Sequence, residues 1–542
     1  MSNPNTIFFE GFTTDFTTDF TQVGANLDPT YWIKPSGVGS VDQHPRLDPV
    51  AWNDGSTDTK FNMYKLSPHD GTDKTGHNRV YTGQGVIALT GFPQTFNEVT
   101  TDVGNNGKEI RGIGIGFYIN KLASEPSGIN HADSHAQRLI KIYNSNFDDY
   151  SSDFANASGV IEIDVIHSTG APSGYSDTFS VNDSRNLSLR VRTPDAAGAA
   201  WNEKYFDTNV LGSTWNYLQP ADEANYTRTD QRIISTFTEA GDKAAGIATF
   251  SDDDYYNGLF VEISILPTGD GAGSSTNSHY EMQIRLNGMN LYERGKTQAD
   301  QTLTGLEGKF FHDDGTPNVF FDRIDWYGSR TGIKDHNDVV DNDFTWIDDI
   351  YIVANTGVCT GPGASCPNFN HADNFLGAST KVFALFPDST GINQSGSWRQ
   401  FSADNGYNDI NVNGNVFQYL QDDDGDNTYV YAENNNNALM FDFDNITIDS
   451  ALNINNYIIG GIKITNSSRA VSTGVTFQNV FTPSGDLPLA NDSAVSGIGE
   501  IFEVSGTVYK YQNQYLMDNP ITEVKWTPTE INDGHFGIIK KS

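Results

Sequence analysis

An all-β protein, built as two tandem antiparallel β-sandwich (jelly-roll) domains with few short helices, is the fold this sequence predicts. Three observations predict it. Apolar and polar residues alternate with a period of two in one segment after another, those segments are separated by Gly, Asn, Asp and Ser clusters, and stretches with a helical period are scarce. A hydrophobic content of 37% with 12% aromatic residues supplies enough apolar surface for folded cores of ordinary size.

In the first part of the chain the strand signals are "GIGIGFYIN" (112–120), "QRLIKIYN" (137–144), "GVIEIDVIH" (159–167), "NLSLRVRT" (186–193), "GLFVEISIL" (258–266), "YEMQIRLNGMNLYE" (280–293), "FFDRIDWYG" (320–328) and "FTWIDDIYIV" (344–353). Asn287-Gly288 supplies two residues that tolerate positive φ, which predicts a tight hairpin. It puts Glu281, Gln283 and Arg285 on one face and Met282, Ile284 and Leu286 on the other. The best helix candidate is 221–237, with a weaker turn at "TPTEIN" near the end. Residues 358–377, rich in Gly, Pro, Ser and Asn, read as a linker or crossover between a first domain, 1–357, and a second, 378–542. Strands resume at "STKVFALFP" (379–387), "NTYVYAE" (427–433), "ALMFDFDNI" (438–446), "NYIIGGIKIT" (456–465), "GEIFEVSGTVYKYQ" (499–512) and "EVKWTP" (523–528).

A formal charge of −36 repels DNA, RNA and anionic lipid surfaces, so neither nucleic acid nor membrane is an expected partner. The opening "MSNPNTIFFEGF" lacks the basic segment and apolar run of a secretory signal, and no window reaches the length of a membrane span, which predicts a product made in the cytoplasm. The two cysteines, Cys359 and Cys366, cannot build a disulfide framework or a four-ligand zinc site; they either close one small loop or stay as thiols.

The order "GLFVEISILP", Asn-Gly hairpin, "FFDRIDWYG", "FTWIDDIYIV" resembles the closing half of concanavalin A-like, laminin-G-like jelly rolls. In that family the paired Asp of the last strand is structural, which implies that Asp348 and Asp349 cap and register this strand. The second part, through "LGASTKVFALFPD" (376–388), "QDDDGDNTYVYAE" (421–433) and "YQNQYLMDNPITEVKWTPTEINDGHFGI" (511–538), resembles a carboxy-terminal module of tailed-bacteriophage virion proteins. That resemblance implies a non-enzymatic virion protein made in the host cytoplasm, exposed as head decoration, tail, baseplate or fibre, and assembled as a homo-oligomer with other virion subunits.

Candidate chemistry sits in four places. Retaining β-glucanases on the concanavalin-like jelly roll carry three carboxylates along one strand; here Glu162 and Asp164 fill the first two places, and the third is Ile166 or His167. A polysaccharide depolymerase would use Glu162 and Asp164, but without the acid that protonates the leaving oxygen. Asp252, Asp253 and Asp254 beside Tyr255 and Tyr256 mix carboxylates with aromatic faces, as a loop contacting a host-surface glycan would. Asp422, Asp424 and Asp426 offer hard oxygen ligands suited to Ca2+, in an order that departs from the EF-hand, and a solvated Asp-rich turn accounts for them better. His131 and His135 have helical spacing without the Glu of a zinc-protease motif.

Overall fold

The computed structural model describes residues 6–11, 32–33, 46–47, 64–66, 86–90, 110–119, 135–143, 160–167, 187–194, 201–207, 259–267, 278–286, 288–293, 301–308, 323–327, 345–356, 370–377, 380, 382, 385–393, 398–402, 406–408, 428–446, 458–470, 474–483, 497–504 and 510–542. Among these the fold is all-β, with antiparallel sheets and one short α-helix. The chain divides into two compact units between Val382 and Phe383.

Unit 1 carries β1 (Thr6–Glu10), β2 (Trp32–Ile33), β3 (Arg46–Leu47), β4 (Tyr64–Leu66), β5 (Val86–Thr90) and β6 (Ile110–Ile119). It continues with β7 (His135–Tyr143), β8 (Ile161–His167), β9 (Leu187–Pro194), β10 (Trp201–Asp207), β11 (Leu259–Pro267) and β12 (Ser278–Leu286). β13 (Met289–Asn290), β14 (Tyr292–Glu293), β15 (Leu303–Gly308), β16 (Arg323–Tyr327) and β17 (Thr345–Thr356) complete it. One sheet runs β13-β12-β11-β6-β17-β4-β3, with β1 also on β17 and β15 on β12; the other runs β14-β10-β9-β8-β7-β16-β5-β2. The Phe117 ring meets Trp326 of the other sheet in a T-shaped contact, centroids 6.3 Å apart, so the inward faces of β6 and β16 share a core.

The predicted hairpin is present. Leu286 pairs with Met289 across a two-residue connection in which Gly288 has φ 79, a value that a Cβ would strain. Met282, Ile284 and Leu286 are buried, while Glu281, Gln283 and Arg285 are only partly so.

In "WIDDIYI" the period of two breaks. β17 opposes Asp348 to Tyr118 and then Tyr351 to Gly116, so one extra residue is inserted, and Asp349 sits at φ 48. This bulge lets Ile347 and Ile350, three apart, both be fully buried in the strand. Asp348 Oδ1 accepts the Asp349 backbone N–H at 2.7 Å, which stabilises the kink.

Unit 2 carries β18 (Pro387–Asn393), β19 (Trp398–Ser402), β20 (Gly406–Asn408), β21 (Thr428–Ala432) and β22 (Ala438–Phe443). β23 (Ile462–Ser468), β24 (Val475–Thr482), β25 (Gly497–Val504), β26 (Lys510–Leu516), helix α1 (Pro528–Asp533) and β27 (His535–Lys540) follow. Its sheets run β18-β22-β27-β24-β25, β20-β19-β21 and β23-β26. Two expectations fail here. The described residues of 379–386 are not strand, and β18 begins only at Pro387, which lacks an N–H for the ladder. The "EVKWTP" segment is not strand but a bend and irregular chain after a turn at 520–522: buried Asn519 bonds both to Ile521 N–H and to Glu530 Oε1, and Glu523 takes φ 58.

The weak turn expected at "TPTEIN" is α1. Thr527 Oγ1 accepts from Glu530 N at 3.2 Å and Glu530 Oε2 accepts from Thr527 N at 2.8 Å, a reciprocal cap with Pro528 opening the helix. The helix presents Ile531 to a cluster of Phe481, Ile498, Trp526 and Phe536. Replacing Thr527 by Ala is expected to lower unit 2 stability by about 1 kcal/mol in urea denaturation. An unchanged midpoint would mean that packing alone holds the turn.

The linker expected at 358–377 ends differently. Residues 370–377, 380 and 382 belong with unit 1 and lie against its first sheet, because their backbone N–H groups and side chains are bonded to β11 and β17. The helix expected at 221–237 lies outside the described residues.

Candidate functional site

β8 places Glu162 and Asp164 on one face and Ile161 and Ile163 on the other, as the alternation requires. Both carboxylates are buried, at 4% and 0% exposure. Sequence reasoning missed what faces them. Backbone register sets Arg192 opposite Glu162 and Arg190 opposite Asp164 on β9, and Arg138 opposite Asp164 on β7.

Arg138 spans the pair, with Nη2 2.7 Å from Glu162 Oε2 and Nε on Asp164 Oδ1. Arg190 grips Asp164 Oδ2 with Nη2 at 2.7 Å and Nε at 3.2 Å. Arg190 Nη1 and Arg192 Nε each lie 3.4 Å from Glu203 Oε1 on β10, and Tyr205 donates to Glu203 Oε2 at 3.0 Å. Carboxylates and guanidiniums thus alternate across four strands as a charge seam.

Burial alone raises the Asp164 carboxyl, yet Arg138 and Arg190 outweigh it and hold the group below its ordinary range. A carboxylate in that state is a fixed anion, unsuited to protonating a leaving group.

Beside the seam Lys141 is brought down to about 8, chiefly by burial, with Glu162 and Asp325 pulling the other way. The sign of the consequence is set by proton counting. Between about 8 and the ordinary 10.5 the folded chain has released a proton that the unfolded chain still holds, so stability rises with pH across that window. The rise is expected to reach at most about 3 kcal/mol and to be absent in Lys141→Met, read as urea midpoints from pH 7.5 to 10.5. Parallel midpoints in the two proteins would remove Lys141 from this role.

A second set of buried polar residues lies on the outward face of the first sheet, under a strap formed by residues 370–377, 380 and 382. Gly114 and Gly116 of β6 leave a shallow trough there. A Cβ on Gly116 would come within 2.0 Å of the Tyr351 ring, and one on Gly114 within 2.3 Å of the Asn374 carbonyl oxygen. Tyr351, Tyr118, Phe260 and Val353 fill the trough with Phe9 and Leu376, the Phe260 and Tyr351 rings stacked at 6.1 Å.

Glu262 Oε1 accepts Tyr351 OH at 2.6 Å and Gly377 N–H at 2.7 Å, and Tyr351 OH accepts Leu376 N–H at 3.0 Å. Asp349 Oδ1 accepts Val382 N–H at 2.7 Å. Burial lifts the Glu262 carboxyl above its usual range, partly offset by Tyr351, Gly377 and Arg285; burial and the Glu262 charge push the Tyr351 hydroxyl well up.

A short 3-10 turn, His371–Asn374, adds a second set of bonds. Asn374 Nδ2 donates to Ser264 Oγ at 2.7 Å, Ser264 Oγ lies 2.7 Å from His371 Nδ1, and His371 Nε2 lies 3.1 Å from Glu281 Oε1. The assignment that serves each group has the serine donating to Nδ1 and the ring hydrogen on Nε2 beside Glu281. A Ser-His-Glu relay has the elements of nucleophilic catalysis. Ser264 is fully buried, however, and its oxygen is already engaged by Asn374, so the arrangement is a clasp for the strap.

The structure therefore brings Glu162 and Asp164 together and surrounds them with arginines. Asp252, Asp253, Asp254, Tyr255 and Tyr256, the Asp422, Asp424 and Asp426 group, and Cys359 and Cys366 all lie outside the described residues. The arginines could have been found from sequence, since Arg190 and Arg192 are two apart on a strand-period segment, as are Glu162 and Asp164.

No protein-family model matches the chain, and no curated relative matches it. Among solved structures, the binding domain of botulinum neurotoxin serotype D/C VPI 5993 aligns over 92% of this chain and 93% of its own, with 14% identity and a TM-score of 0.22. A likeness that weak shows neither a shared fold nor a shared role.

Proposed function

We propose that this chain is a non-enzymatic structural subunit of a tailed-bacteriophage particle, exposed on the particle and assembling as a homo-oligomer with other virion subunits. Its first unit is read as a concanavalin A-like, laminin-G-like jelly roll serving as a rigid frame, and its second as the phage-type module. The observation that carries the non-enzymatic part is the charge seam. Glu162 and Asp164, the pair a depolymerase would need, are each ion-paired to buried or half-buried guanidinium groups. The virion part is supported by the motifs of 376–388, 421–433 and 511–538. In the last of these, Trp526 and Phe536 join a buried cluster with Ile531 of the helix that Thr527 and Glu530 cap, a framework role.

Antibody against the purified chain, applied to intact and disrupted phage particles under the electron microscope, tests the assignment. Labelling at repeated positions on the particle is expected, with a single oligomeric mass in light scattering of the purified chain. Particles that bear no label in either state would end the virion reading. Release of reducing ends from bacterial polysaccharide that Glu162→Gln abolishes would end the non-enzymatic one.

A further inference from the structure

The middle of the strap on unit 1 hangs on one buried carboxyl. Glu262 stands on β11 beneath it, at 0% exposure. Its Oε1 accepts Gly377 N–H at 2.7 Å and Tyr351 OH at 2.6 Å, and the Tyr351 oxygen accepts Leu376 N–H at 3.0 Å, so two successive strap amides depend on the Glu262–Tyr351 pair. Glu262 Oε2, equally buried, has no hydrogen-bond partner among the described residues. The strap's other ties are separate: Asn374 bonds to Ser264 on one side, and Val382 N–H to Asp349 on the other. Release at Leu376 and Gly377 therefore lifts a loop that stays tethered at both ends.

We infer that Glu262 is a proton-operated latch: the strap lies closed over the trough while this carboxyl carries a proton, and loosens when the proton leaves. The reason is the room the acid is given. Under the closed strap a charged carboxylate keeps one oxygen in a buried place with no donor to it. A neutral carboxyl still accepts both donors on Oε1 and removes the charge, at the smaller cost of one unpaired O–H. With the strap lifted, water solvates the carboxylate and the preference disappears. The titratable and charged groups around the strap are Tyr118 from β6, Tyr351 and Asp349 from β17, Arg285 and Glu281 from β12, and His371 and Asp373 on the strap itself. Of these, Tyr351 and Arg285, with the Gly377 amide, favour the charged form, and burial outweighs them. A carboxyl that titrates above its ordinary 4.5 when covered holds its proton longer in the closed state, so closure is favoured in acid and lost as pH rises.

Hydrogen exchange of the full chain, read by mass spectrometry from about pH 4.5 to 7.5 with each rate divided by its intrinsic rate, tests this. Protection at the Leu376 and Gly377 amides is expected to fall as pH rises, by up to about tenfold per pH unit, and to level off once the covered carboxyl has ionised. Amides of the β6–β11 ladder are the control for unfolding of the whole unit and are expected to stay level. In Glu262→Gln, whose amide oxygen still accepts both donors, strap protection is expected not to change with pH. If that variant fails to fold, Tyr351→Phe takes its place; it removes a bond that favours the charged form and is expected to move the fall to higher pH. Parallel profiles in wild type and Glu262→Gln overturn the inference. So does a fall that Tyr351→Phe leaves in place, protection that rises with pH, or an equal fall in the ladder amides.

Discussion

Replacing Arg138 by Met is expected to destabilise unit 1 by about 3–5 kcal/mol, the usual result of removing one partner from a buried ion pair. The size follows from what is left behind. Arg138 is fully buried at its side chain and touches both Glu162 and Asp164, so its loss leaves two carboxylates facing a gap in a low-dielectric layer. Arg190 still holds Asp164, while Glu162 is left with Arg192 at 3.9 Å in place of Arg138 at 2.6 Å.

Against a typical domain stability of about 5–15 kcal/mol the loss is large enough to show in expression as well as in urea midpoints. The pH dependence gives an independent reading. In the wild type the folded Asp164 titrates below its ordinary 3.8, so the stability it contributes is present above that value and drains away as pH falls. The gap between wild type and variant is therefore expected to narrow in acid. A loss under about 1 kcal/mol would place the seam with solvent-exposed ion pairs.

The second large effect is expected from Gly114→Ala. Alanine normally suits a strand better than glycine, by roughly 0.5–1 kcal/mol, so a stabilised protein is the expectation from propensity alone. Packing reverses it. The new methyl would lie 2.3 Å from the Asn374 carbonyl oxygen and 2.5 Å from Val353 Cγ2, and the nearest of these belongs to backbone that cannot rotate away. Overpacking of this kind costs typically about 1–3 kcal/mol. Because the clash is with the strap, the Gly377 and Val382 backbone N–H groups are expected to exchange their hydrogens faster in the variant. A variant at least as stable as wild type, with unchanged exchange at these two groups, would mean that the strap does not sit on Gly114.

Much of the architecture was legible because strands leave a local trace. The alternation in "MQIRL" survives into buried and half-buried faces, that in "VEISI" into two faces that are both buried, and Asn287-Gly288 marks its hairpin. The bulge in β17 was not expected from the sequence: an unbroken period of two sets Asp348 and Asp349 on opposite faces, whereas the extra residue lets Ile347, Ile350 and Ile352 all be buried. The positive φ of Asp349 is what suspends the alternation at this point.

The misses share a cause: contacts distant in sequence decided them. "HADNF" has no period of its own, and its turn is held by Ser264, 107 residues before His371. Charged residues at alternate strand positions read as a solvated face, and only the strands on either side of β8 turn Glu162 and Asp164 into a buried layer. "EVKWTP" has strand-forming residues, but Asn519 bends the chain.

The pairing of β1 with β17, in which Phe8 lies against Ile352 and Glu10 against Ile350, sets a timetable for synthesis. The first strand leaves the ribosome some 340 residues before its partner, a wait of roughly 17–70 s at about 5–20 residues per second. During that interval "TIFFE" has apolar side chains and no ladder to join, the condition in which a strand seeks a foreign edge. Yield at high expression temperature should therefore be limited at this segment, and a circular permutant that delivers residues 6–10 just after β17 should shorten the exposure.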